Sequence, residues 1–137
     1  MNVLILDPDF RRRKHLQEAL SWFDQHCAVF EAANQGEADH WLRHNPFGIV
    51  LIGPELEMGT VLTVVYLRRR LPGAYLVVCD NQFLHRGVSP GHLEAAGSNL
   101  IVDQRMSPWK IAVLLRPLLS VTGSPIPVAE NCMVMSA

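Results

Sequence analysis

The stretch that decides the fold is residues 47–54, which read Phe-Gly-Ile-Val-Leu-Ile-Gly-Pro. The aliphatic run at residues 49–52 has no polar alternation, which is typical of a strand buried on both faces of a parallel sheet. Gly53 and Pro54 end this strand. Ligands and catalytic groups gather at the carboxyl edge of an open α/β sheet, and glycine brings no functional side chain to that edge. The end of the central strand therefore carries no side chain that could act as an acid, a base or a nucleophile at this edge.

Composition favours one soluble domain. The chain has 137 residues, of which 49% are hydrophobic and 18% charged, enough to bury a core. The net charge of -1 provides no positive field for nucleic acid or an anionic membrane. The 3 cysteines form no CxxC pair, and no apolar run approaches the ~20 residues of a membrane span. We expect a cytoplasmic protein without direct nucleic-acid or membrane binding.

Buried strand-like runs alternate with helix-like stretches through residue 120. The strand-like runs are residues 3–6, 27–32, 49–52, 75–79 and 100–102, and the helix-like stretches are residues 10–23, 35–44, 61–70, 90–96 and 108–118. The β-branched residues of 61–70 suit a strand equally well, but the alternation and the arginines at 68–70 favour a helix. This order predicts an α/β fold, a flavodoxin-like three-layer α/β/α sandwich with a five-stranded parallel sheet.

Residues 121–137 lack periodicity and contain Gly123, Pro125 and Pro127. This composition predicts a domain at residues 1–120, followed by a linker or a loosely attached C-terminal tail.

The order of elements resembles the receiver domains of bacterial two-component response regulators. The resemblance rests on the acids after the first strand, the 47–53 strand after a helix ending in Asn45-Pro46, the turn at 95–98, and Ser107-Pro108 opening the last helix. It covers about residues 2 to 120. It implies the strand order 2-1-3-4-5.

Receivers hold magnesium with acids after their first strand. By position, Asp7 matches the first acid, but the adjacent metal-ligating position is Pro8, with Asp9 beyond it. Asp7 and Asp9 could bind a cation together with Glu55 or Glu57. The simpler interpretation is that they cap the first helix and meet its arginines.

The remaining working groups of a receiver are also missing. The phosphoacceptor aspartate falls on Gly53 and the hydroxyl residue on Cys79. The lysine falls on Asp103 or Gln104. Because phosphoryl transfer needs a nucleophilic carboxylate, the resemblance implies a pseudo-receiver with no aspartyl phosphate, no metal and no cofactor. Without the lysine cation, mutual repulsion is expected to raise carboxylate pKa values at this edge.

Other reactive residues have ordinary explanations. Cys79 is a nucleophile only if His85 or His92 activates it, and it is otherwise a small buried apolar residue. His40 and His44 are four apart on one predicted helix, a spacing that suits a metal but also a solvated surface.

The resemblance also implies an interaction face, because receivers dimerise or meet partners through helix 4, strand 5 and helix 5. Candidate residues on or beside this face are Phe83, Leu84, Leu100 and Trp109. Phe83 and Leu84 serve a contact if exposed, or else tuck under their loop. The basic runs at 11–14 and 68–70 are expected on opposite faces of the sheet, which disfavours a joint nucleic-acid patch.

The sequence thus predicts a phosphorylation-independent signal-transduction module that acts through protein–protein interaction. It would stand alone or form the N-terminal regulatory domain of a transcriptional or other effector protein. The alternative is a small-ligand or ion sensor that uses the vacated pocket around Asp7, Gly53, Cys79 and Asp103. An enzyme is not expected, since the sequence has no Gly-rich phosphate loop, nucleophile elbow or metal motif.

Overall fold

The computed structural model describes residues 1–23, 27–81, 87–120 and 133–136. Strands and helices alternate along the chain: β1 Asn2–Leu6, α1 Phe10–Leu20, β2 Ala28–Ala32, α2 Gln35–His44, β3 Ile49–Ile52, α3 Thr60–Arg70, β4 Tyr75–Cys79, α4 Pro90–Ala96, β5 Leu100–Val102, α5 Pro108–Ser120 and β6 Met133–Ser136. Within the described residues, no helix has the length and apolar character needed to cross a membrane.

The strands form one parallel sheet in the order β5-β4-β3-β1-β2-β6. The first five strands therefore have the predicted order 2-1-3-4-5. β3 lies between β1 and β4, with Val3 opposite Ile49 and Ile49 opposite Tyr75. All of β3 is buried, which confirms that residues 49–52 form the central strand.

The sheet gains a sixth strand that the sequence analysis did not predict. β6 runs parallel to β2, with Ala28 opposite Met133 and Glu31 opposite Ser136. Residues 121–132 lie outside the described residues, so the domain boundary near residue 120 stays a prediction.

Two apolar layers cover the sheet. On one face, Leu16 and Leu20 of α1 pack with Ile111 and Leu115 of α5. On the other face, α2, α3 and α4 contribute a second cluster that includes Leu67. The basic runs at residues 11–14 and 68–70 belong to α1 and α3, so they lie on opposite faces of the sheet, as predicted.

α3 forms a helix despite its β-branched residues. Its buried residues, Thr60, Thr63, Val64 and Leu67, recur at helical spacing. Burial of this stripe against the sheet outweighs the modest cost of β-branching in a helix. Gly59 precedes the helix at φ 79, a conformation that favours glycine.

Candidate functional site

The predicted pocket lies at the carboxyl edge of the sheet, where four of its residues terminate or directly follow strands. Asp7 follows β1, Gly53 follows β3, Cys79 ends β4 and Asp103 follows β5. The Gly53 N–H donates to the Leu6 carbonyl over 2.8 Å, which holds the end of β3 beside the end of β1. The fold thus brings Asp7 and Gly53 into contact.

The space beside Gly53 is filled by the side chain of Asp7. A Cβ atom at position 53 would lie 2.8 Å from the Cβ of Asp7 and closer still to its Cγ and Oδ2. Real Cβ atoms are essentially never found so close to other heavy atoms. Position 53 therefore has no room for a side chain while Asp7 keeps this conformation.

Arg12 holds Asp7 in place. Its Nε donates to Oδ1 and Oδ2 of Asp7 over 3.1 and 2.9 Å, and its Nη2 donates to Oδ1 over 3.0 Å. The same guanidinium lies 3.5 Å from Asp9 and 3.6 Å from Glu55. Forked, charge-assisted bonds of this kind are among the stronger side-chain interactions in proteins. A side chain of the protein thus provides the positive charge among these carboxylates.

Asp9 caps α1, as predicted. Its Oδ1 accepts from the backbone N–H groups of Arg11 and Arg12 over 2.7 and 3.3 Å. Asp7 and Asp9 also offset the basic first turn of the helix. Within residues 1–23, 27–81, 87–120 and 133–136, no group of three or more His, Cys, Asp and Glu side chains is arranged to hold a metal ion.

The carboxylates do not raise one another's pKa values in the way the sequence suggested. Burial raises the pKa of Asp7, against the opposing effect of Arg12, and the Asp9 charge is the smallest contribution. Hydrogen bonds from the Arg11 and Arg12 N–H groups lower the pKa of Asp9. The Arg105 side chain lowers the pKa of Asp103. The expectation of mutual repulsion is therefore wrong for Asp9 and Asp103.

Cys79 is a core residue. Its side chain is inaccessible, and burial raises the pKa of its thiol, with smaller effects from Asp7 and Asp80. Of the suggested bases, His85 lies outside the described residues, and His92 accepts from the Ser89 N–H in the cap of α4. A protonated, buried thiol is not a nucleophile, so the structural interpretation of Cys79 holds.

Asp103 and Gln104, the two residues predicted at the lysine position, differ in their hydrogen bonding. Asp103 accepts from the backbone N–H of Arg105 over 2.9 Å and from its guanidinium over 3.1 and 3.3 Å. The Oε1 of Gln104 is buried and has no hydrogen-bond partner in the described part of the chain. Pro8 is exposed and lines a separate cavity of about 180 Å³ with Asn34 and Glu57.

The predicted interaction face is described in part. Phe83 and Leu84 lie outside the described residues. Leu100 is half-buried and packs against the α1–α5 core. Trp109 is 58% exposed, and Val113, one turn further along α5, is 50% exposed. Val113 was not predicted from the sequence, although its spacing of four from Trp109 was the available signal.

His40 and His44 do lie side by side on the exposed surface of α2. Their ring centroids are 5.1 Å apart. Neither is joined by a third metal-ligating side chain among the residues described.

Comparison with protein-family models found no match, and comparison with curated protein sequences found none either. Solved structures do match. A CheY-like response regulator receiver domain from Methanospirillum hungatei JF-1 has a TM-score of 0.73 and 17% identity, and the match covers 89% of this chain and 95% of that one. The chain has the fold of a response-regulator receiver domain.

Two further structures share this receiver fold. A two-component response regulator from Clostridium difficile matches with a TM-score of 0.74 and 15% identity over 90% of this chain and 99% of that one. A structure described as an adenylate cyclase from Rhodopirellula baltica matches with a TM-score of 0.71 and 16% identity, over 89% of this chain and 92% of that one. At such low identities the likeness shows the fold, and function must be argued from the site.

Proposed function

We propose that this receiver-like domain is a phosphorylation-independent signalling module that acts by binding another protein and has no enzymatic activity of its own. The observation that carries the proposal is the filled pocket at Gly53. Asp7 occupies the space that an acceptor side chain needs, and Arg12 holds Asp7 there.

Phosphoryl transfer to a receiver needs a free carboxylate nucleophile and a bound magnesium ion, and this edge suits neither. Gly53 provides no carboxylate nucleophile, and the nearby Asp7 carboxylate is buried and bound on both oxygens by Arg12. Magnesium would have to displace the Arg12 guanidinium to reach the same oxygens. A signal that does not pass through this pocket must be read from the outer surface of the domain.

The exposed apolar stripe of α5, defined here as Trp109, Val113 and Leu114, supports protein binding. These side chains are 58%, 50% and 37% exposed. Tryptophan is enriched among residues that dominate interface energy. The partner is an effector domain, a separate protein or a second copy of the chain. The module works alone or as the regulatory domain of a longer protein.

The vacated pocket is a poor ligand site. Asp7 fills the space beside Gly53, and the Cys79 side chain is inaccessible. No observation favours a sensor that uses this pocket.

An amide NMR titration with magnesium, followed by magnesium with beryllofluoride, tests independence from phosphorylation. Beryllofluoride mimics a phosphoryl group on a receiver aspartate. We expect no saturable shift at Asp7, Gly53 or Cys79. Saturable shifts there would contradict the proposal, because they would show that the edge still binds the ions of a phosphorylation site.

Capture of partners by the purified domain tests the α5 stripe. We expect Trp109→Ser and Val113→Ser to reduce both self-association, measured by sedimentation, and recovery of a specific partner. Trp22→Ser is the matched control, because Trp22 is 51% exposed in the turn that follows α1. Equal behaviour of the Trp109 and Trp22 variants would remove the stripe from the proposal.

A further inference from the structure

We propose that a cleft between α1 and the β5–α5 loop binds a small oxyanion, such as phosphate or a short dicarboxylate. This arginine cleft is lined by Arg11, Arg12, His15, Gln104 and Arg105 and has a volume of about 260 Å³. Every lining side chain is polar. Nothing in the proposed signalling function requires the cleft, so the two proposals stand or fall separately.

The two walls of the cleft come from distant parts of the chain. Arg11, Arg12 and His15 lie within the first two turns of α1, while Gln104 and Arg105 lie in the loop after β5. The His15 Nε2 lies 2.6 Å from the Met106 carbonyl oxygen, which joins the walls. Because a carbonyl only accepts, Nε2 must carry the proton of this bond. This direct contact ties the loop to α1, so the spacing of the two walls is a property of the fold.

The guanidinium groups of Arg11 and Arg105 have N–H donors available for a ligand. Within the described part of the chain, the Arg11 side chain is exposed and its guanidinium makes no ion pair or hydrogen bond. Arg105 uses Nε and Nη2 on Asp103, which leaves Nη1 for a ligand. Arg12 is already committed to Asp7, so its contribution is positive charge rather than new hydrogen bonds. Forked guanidinium donors match the oxygens of phosphate and carboxylate groups.

Carboxylates beside the cleft limit how far its positive charge extends. Asp7, Asp9 and Glu55 contact Arg12 and Asp103 contacts Arg105, but none of these four lines the cleft. Seen from outside the cleft, their negative charges cancel those of the arginines. The domain therefore lacks the extended positive field that a nucleic acid would need. The residues that line the cleft itself include three arginines and no carboxylate.

The volume points to a small ligand. Sites for drug-sized molecules span roughly 300 to 1,000 Å³, and the arginine cleft falls just below that range. Phosphate and short dicarboxylates share the oxyanion chemistry that the two open guanidiniums recognise.

Amide NMR titrations with inorganic phosphate and, separately, with malonate test this proposal. Ionic strength is kept constant with sodium chloride, so that a general salt effect is subtracted. We expect saturable shifts confined to residues 10–15 and 103–107 with at least one of the two anions. In the double variant Arg11→Ala/Arg105→Ala, the affinity should fall by about tenfold or more, since hydrogen bonds to charged groups are lost.

Arg43→Ala is the matched control. Arg43 is exposed at the end of α2, on the opposite face of the sheet, and should leave the affinity unchanged. Both substituted arginines of the cleft are exposed, so the double variant should keep the amide spectrum of a folded domain. The proposal is overturned if neither anion gives saturable shifts, or if the double variant and the control bind equally well.

Discussion

Gly53 and Asp7 determine what the edge of the sheet can do. Glycine at the end of the central strand brings no side chain to this edge, and Asp7 occupies the space beside it. The absence of a side chain at position 53 was readable from the sequence. The occupation of its space was not, because Asp7 lies 46 positions away in the chain and its rotamer depends on Arg12.

Gly53→Asp should destabilise the domain without restoring phosphorylation. The new Cβ would overlap the Asp7 carboxyl group, and forced overpacking of a core site costs about 1–3 kcal/mol. Urea denaturation measures the loss, and incubation with acetyl phosphate and magnesium tests acceptance of a phosphoryl group. Gly73→Asp is the control, since a Cβ at exposed Gly73 meets no atom within 4 Å. A stable, phosphorylatable Gly53→Asp variant would refute this account of the pocket.

Arg12→Leu should cost stability in a pH-dependent way. Removing one partner of a buried ion pair costs about 3 kcal/mol or more at neutral pH, because Asp7 keeps a buried charge without its cation. The folded state already raises the pKa of Asp7 above its ordinary value of 3.8, so a proton on Asp7 favours folding. Loss of Arg12 raises that pKa further. The penalty should therefore be small near pH 4 and grow as the pH rises through the pKa of folded Asp7.

Urea denaturation of wild type and variant at several pH values between 4 and 7 measures this difference. Arg11→Leu is the control, because the exposed Arg11 guanidinium makes no ion pair in the described part of the chain. A penalty for Arg12→Leu that stays constant over this range would show that the charge on Asp7 is not its source.

Arg68 organises the junction between α3 and its neighbours. Its guanidinium donates to the carbonyls of Leu71, Ala74 and Gly97 over 3.1, 2.8 and 2.8 Å, and to Asn99 Oδ1 over 2.6 Å. These bonds join the end of α3 to the end of α4 and the start of β5. The sequence indicated only that arginines suit a helix C-terminus, since carbonyl partners contributed by other elements are invisible in a local pattern.

Arg68→Ala should destabilise the domain by about 2 kcal/mol or more, since several charge-assisted hydrogen bonds are lost at once. Arg68→Lys should recover little, because one ammonium group cannot reach the partners of a planar guanidinium on separate elements. Arg69→Ala is the control, as Arg69 is exposed and its loss should stay within about 0.5 kcal/mol. Urea denaturation measures the free energy of unfolding of the three variants. Wild-type stability of Arg68→Lys would show that the planar shape of the guanidinium is not needed.

At the scale of the whole molecule, the domain boundary can be tested by deletion. Removing residues 121–137 should leave a folded five-stranded domain, because the helices α1 to α5 already cover both faces of β1 to β5. Loss of β6 should expose the outer edge of β2. Hydrogen exchange should then accelerate at β2 amides and remain slow in β3. Global unfolding of the truncated chain would show that residues 121–137 belong to the folding unit.

The sequence by itself determined the alternation of elements, the central position of β3 and the absence of a side chain at position 53. These properties follow from local periodicity and residue chemistry, which each segment carries on its own. Tertiary structure alone decided that Asp7 fills the space at Gly53, that Arg68 joins three elements and that β6 extends the sheet. Each of these depends on distances between side chains or strands far apart in sequence, and only the packed fold sets such distances.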